Sequence, residues 1–100
     1  MTTVNARVVV TTRPEHRDKA YDAIDGERAY QDDRFDGRKP LSVGETILLL
    51  DEYVMKAKLS WSQEKRPEAH TMGIIRKIAG IAVHAMEDHG SIPREGYENT

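Results

Sequence analysis

No cysteine occurs anywhere in the 100 residues. That one absence removes disulfide scaffolds, thiolate zinc sites and cysteine nucleophiles together, and it fits a reducing cytoplasm. Long apolar runs are missing too. The longest, Ile47 to Leu50, is far too short to span a bilayer. The N-terminus lacks the basic-then-apolar pattern of a signal peptide. Nor is there an excess of one charge: 15 basic against 17 acidic side chains leave a formal charge of −2. A global attraction to a nucleic acid polymer or to an anionic membrane is therefore not expected, although a local basic pocket is compatible with it. What remains is a chain 38% hydrophobic and 32% charged, suited to one globular domain with a modest core and a charged surface.

The strongest pattern runs from Ser42 to Trp61. Ser42 and Glu45 form a capping box, each side chain placed to bond the other's backbone N–H. Behind it Val43, Ile47, Leu50, Val54, Ala57 and Trp61 recur at spacings of three and four, one face of an α-helix. Leu48, Met55 and Leu59 widen that face, so this helix is expected to be the centre of the core.

The rest of the chain is arranged on either side. Residues 1–13 contain alternating Val4, Ala6, Val8 and Val10, the pattern of a strand or an extended arm. A first helix is expected from about Pro14 to Arg34, with Ala20, Tyr21, Ala23, Ile24 and Tyr30 as its apolar content and Gly26 as a point of weakness. An Asp36-Gly37 turn and Pro40 make residues 35–41 a loop. A last helix follows from about Glu68 to His89, carrying Met72, Ile75, Ala79, Ala82 and Met86 on one stripe, and Gly90 ends it. Residues 91–100 read as a flexible tail. The expected fold is mainly α: an antiparallel αα-hairpin plus a first helix packed across it, a three-helix core over residues 14–90. Its apolar stripes are wider than one neighbour can cover, which predicts a homo-oligomer.

Candidate chemistry is sparse. Magnesium-dependent hydrolases aim carboxylates inward from facing helices. Asp22, Asp25, Asp51 and Glu52 are available on the first two helices, but the middle of the last carries Arg76 and Lys77 instead. His16, His70, His84 and His89 show no metal-ligand spacing, and His84 with Asp88 is an i, i+4 surface pair. No metal site, cofactor or catalytic set is expected. Gly73 and Gly80, seven apart in the interior of the last helix, imply close approach of a neighbouring helix or a ligand. Arginine matches phosphate and aromatics stack on bases. Arg28 and Tyr30 on the first helix, Arg38 and Lys39 in the loop, Trp61 and the Arg76-Lys77 pair make a cationic and aromatic set that could hold a small nucleotide, and Arg28, Tyr30, Arg76 and Lys77 are the residues expected to line one anion-accepting pocket.

In ERAYQDDRF, LSVGETILLL and IRKIAGIAVHAMEDHG the chain resembles a group of small all-helical phage proteins. The resemblance covers most of residues 24–90, with Glu27, Arg28, Tyr30 and Gln31 on its first motif. Phe35 stands where that group often has tryptophan. The resemblance implies a phage origin and a bacterial host cytoplasm, without an established activity. A more distant look-alike is the MazG-type nucleotide pyrophosphohydrolase, whose second acidic motif is missing on the last helix. The expected function is a non-enzymatic accessory protein acting against host defence by sequestering a phosphate-containing small molecule such as a cyclic nucleotide signal. The alternatives are a MazG-like magnesium-dependent pyrophosphatase and a protein-binding inhibitor of a host factor.

Overall fold

The computed structural model describes residues 14–63 and 67–94. The arm over residues 1–13 and the end of the tail lie outside the described residues. Three helices account for most of the rest: α1, Glu15–Arg34; α2, Val43–Gln63; and α3, Pro67–His89. No strand occurs among the described residues. No helix there is long and apolar enough to cross a membrane.

The helix ends follow the local chemistry. Ser42 N–H donates to Glu45 Oε1 at 2.9 Å and Glu45 N–H donates to Ser42 Oγ at 3.0 Å, the reciprocal pair that a capping box requires. Pro14 precedes α1 rather than opening it, and its carbonyl accepts from Asp18 N–H at 3.0 Å. Pro67, lacking an N–H that would be orphaned anyway, is the first residue of α3. At the other end Gly90, with φ of 122°, donates its N–H to the Met86 carbonyl at 2.9 Å. Gly26 does not interrupt α1, which runs unbroken through it.

α2 and α3 are antiparallel. Ser60, near the end of α2, meets Thr71 near the start of α3, while His89 at the end of α3 meets Leu41 just ahead of α2. α1 also packs on α3, whereas no Cα of α1 comes within 8 Å of one of α2. The centre of the molecule is therefore α3, a correction to the expectation that α2 held that place.

The buried residues correct a second expectation. Among the described residues Ile74 is the single buried hydrophobic, at 8% exposure. The others buried are Gly80 and six polar residues, Glu27, Arg28, Gln31, Thr46, Ser60 and Thr71. The apolar stripe of α2 is mostly uncovered, with Val43, Ile47, Val54 and Trp61 all exposed. α2 turns Thr46, Tyr53 and Ser60 toward α3 instead, a face one step round the helix. On α1, Tyr21 and Tyr30 are exposed, and Glu27, Arg28 and Gln31 are what it buries.

Candidate functional site

α1 is held to α3 by charge and close approach rather than by an apolar stripe. Glu27 Oε1 accepts from Arg76 Nε at 2.9 Å, and Glu27 Oε2 accepts from Gln31 Nε2 at 3.2 Å. The next residue, Arg28, spans the gap to α3 with a two-pronged grip on Glu87, at 3.1 and 2.6 Å, and also reaches Asp32 and Gln31. Such a fork matches a carboxylate in direction as well as charge. The Arg28 hydrogen bond holds the Glu87 carboxyl below its ordinary value, and it raises Arg28 in turn. Room for this layer comes from Gly80. A Cβ there would lie 2.7 Å from Glu27 Cγ and 2.8 Å from Gln31 Nε2, closer than any packed side chain tolerates.

Because α1 and α2 both rest on α3 with their backbones apart, a groove of about 820 Å³ opens between them. Its floor is Lys77, Ile81, His84 and Asp88 of α3. Tyr30, Gln31 and Arg34 of α1 form one wall. Glu45, Leu48, Leu49 and Glu52 of α2 form the other. The loop with Phe35, Arg38 and Lys39 closes one end, and His89 Nε2 lies 2.9 Å from the Leu41 carbonyl in that loop.

The four sequence-predicted site residues divide two and two. Tyr30 and Lys77 both line the groove, with Lys77 Nζ 5.8 Å from the Tyr30 ring centre, inside the reach of a cation–π contact. Arg28 and Arg76 are not groove-lining, and their guanidinium groups are engaged by the carboxylates of Glu87, Asp32 and Glu27.

Sequence reasoning placed Arg38 and Lys39 in the wider cationic and aromatic set but not among the four pocket residues, and it missed Arg34. Arg34, Arg38 and Lys39 line it with Lys77, and none of the four has a carboxylate partner among the described residues; Arg38 sits 4.7 Å over the Phe35 ring. Of the acids on the groove, Glu27 and Asp32 are tied to arginines, Glu45 is used in the cap and Asp88 pairs with His84 at 3.3 Å. A hydrogen bond from a backbone N–H does not cancel a carboxylate's charge, so Asp36, Glu45, Glu52 and Asp88 stand without an arginine or lysine partner among the described residues, equal in number to the four cations. The available signal was the Arg38-Lys39 pair beside Phe35, which periodicity cannot place relative to a helix far along the chain.

A second cluster joins α2 to α3. Ser60 Oγ lies 2.8 Å from His70 Nδ1 and 2.8 Å from Thr71 Oγ1. A serine and histidine at that distance resemble a nucleophile and its base. Ser60 is buried between the helices and shares its hydroxyl with Thr71, so the cluster satisfies buried polar groups where α2 and α3 meet. Among the described residues no three His, Asp or Glu side chains come close enough to hold a metal ion together.

No family model matches the chain, and neither a curated protein nor a solved structure is similar enough to count as a match.

Proposed function

We propose that this chain is a non-enzymatic binding protein that works as a homo-oligomer and takes a small anionic, ring-bearing ligand of nucleotide type in the groove between α1 and α2. The observation that carries the reading is the sorting of charge there. Glu27 and Asp32 on the groove are paired with arginines that do not line it, whereas Lys77, Arg34, Arg38 and Lys39 have no carboxylate partner among the described residues. Lys77 is half-buried on the floor, where a cation attracts a phosphate more strongly than it would in open water. Tyr30 and Phe35, exposed at the rim, offer faces on which a base can stack. Arg28 and Arg76 serve this site indirectly, by fixing the α1 wall to α3.

In the phage setting that the resemblance implies, such a protein would sequester a cyclic nucleotide signal of host defence. Calorimetric titration with nucleotides and cyclic nucleotides, with and without magnesium, tests the reading. A charged hydrogen bond contributes about 1.5–3 kcal/mol, so Lys77→Met should weaken binding by about ten- to a hundredfold. Heat of turnover with release of pyrophosphate would replace the reading with the hydrolase alternative. Absence of binding across the panel would remove it.

A further inference from the structure

The residues that periodicity marks as core are the ones a single chain leaves bare. On α2, Val43, Ile47, Leu50, Val54, Ala57 and Trp61 follow one another at spacings of four and three. Ile47 is 59% exposed and Trp61 is 63% exposed. On α3, Met72, Ile75, Ala79, Ala82 and Met86 repeat the same spacing, and Met72, Ile75 and Met86 are exposed. An average period of 3.5 residues is the seam of supercoiled helices, where each side chain enters a hole on a facing helix.

The two seams lie on one side of the hairpin. On α2 the face against α3, Thr46, Tyr53 and Ser60, separates the groove residues Glu45, Leu48 and Glu52 from the seam. On α3 the face against α2, Thr71, Ile74 and Ile78, separates the groove residues Lys77, His84 and Asp88 from Ile75, Ala82 and Met86. Both seams therefore point away from the groove, side by side. They form an apolar face with no charged residue at any seam position.

We infer that a second copy of this chain covers that face with the same face of its own, making a four-helix bundle about a two-fold axis. This deepens the oligomer in the reading above and rests on it. The kind of occupant follows from the pattern. A hairpin carrying two adjacent 3.5-residue seams is half of a four-helix bundle, and an uncharged apolar patch is complementary to its own copy without any charge matching. The size is adequate as well. Helices about 30 Å long, two abreast at roughly 10 Å each, offer about 600 Å² per chain, or about 1,200 Å² buried in the pair, the lower end of stable interfaces. The pairing leaves both grooves on the outer surfaces of the bundle, open to ligand.

The test is the mass of the full chain in solution by sedimentation at micromolar concentration, with variants on and off the seam. Ile47→Asp and Ile75→Asp put a carboxylate into the bundle and should weaken self-association by about a hundredfold or more. Met55→Asp, on the exposed face of α2 about a third of a turn from the centre of the seam, should leave the assembly intact. Should a seam variant unfold instead of dissociating, the unaltered chain still answers. Trp61 is its single tryptophan, and its fluorescence should be shielded from a soluble quencher in the assembly and become quenchable on dilution. A monomer throughout that range overturns the inference. So does an assembly broken by Met55→Asp and untouched by the two seam variants, or one in which Trp61 is quenched as freely as in an unfolded chain. Ligand binding is measured separately, so a failed groove and a failed bundle are distinguishable.

Discussion

Removing the Arg76 guanidinium is the perturbation whose cost follows most directly from the geometry. Glu27, whose side chain is 5% exposed, pairs with Arg76, whose side chain is 46% exposed. In Arg76→Ala the carboxylate is left with one neutral donor, Gln31 Nε2 at 3.2 Å. A fully buried charge stripped of its partner costs about 3–5 kcal/mol, and a pair in open water is worth about 0–1 kcal/mol. With one partner buried and the other half in solvent, the loss should fall between them, at about 2 kcal/mol. The gain in helix propensity from alanine, a few tenths of a kcal/mol, does not offset it. At one fixed protein concentration this appears as a lower urea midpoint, or as a drop of about 8–16 °C in Tm. Adding Glu27→Gln to Arg76→Ala removes the orphaned charge while retaining a hydrogen-bonding amide, and should recover at least half of the loss. A cost below about 0.5 kcal/mol, or a double variant no better than the single, would refute the claim that this pair docks α1.

Gly80→Ala drives a methyl into Glu27 and Gln31 and should destabilise by about 1–2 kcal/mol despite better propensity, whereas Gly73→Ala, with nothing within 4 Å of its added Cβ, should be neutral or stabilising by up to about 1 kcal/mol. Chemical denaturation of the two variants in parallel separates them. The Glu87 carboxyl is held below its ordinary value, so the native state binds fewer protons there than the unfolded chain. Its contribution is full above the ordinary carboxylate range and is lost as pH falls through the lowered native value. Glu87→Gln should flatten that acid limb in a pH series of urea midpoints. Glu87 is half exposed, so the change should be small.

Much of this architecture is legible in the sequence, because caps and periodicity are local. The Ser42–Glu45 box at a first turn and Gly90 after a last one placed helix ends to within a residue or two of those observed. What periodicity cannot say is which neighbour covers a stripe. The regular seam on α2 suggested the centre of the core, yet within one chain α2 meets α3 through Thr46, Tyr53 and Ser60, which carry no strong apolar signal. The α1–α3 contact is equally hidden. Glu27 and Arg76 stand far apart in the chain, and each reads as a surface charge until its partner is known. Gly80 was a local clue, since a glycine inside a helix asks for something close against it, but Gly73, read the same way, has nothing within 4 Å of an added Cβ. Of the expected site, Tyr30 and Lys77 share the groove, while Arg28 and Arg76 are engaged by carboxylates that no local rule would have paired with them.

The central claim is that the free cations around Lys77 make the groove a site for a nucleotide-type anion. Titration of the full chain with a panel of nucleotides and cyclic nucleotides, repeated on Lys77→Met and on Met55→Asp, tests it most directly. Saturable binding that weakens by about ten- to a hundredfold in Lys77→Met and is unchanged in Met55→Asp is the predicted result. Binding of equal strength in the unaltered chain and in Lys77→Met, or no binding by any ligand of the panel, would contradict it.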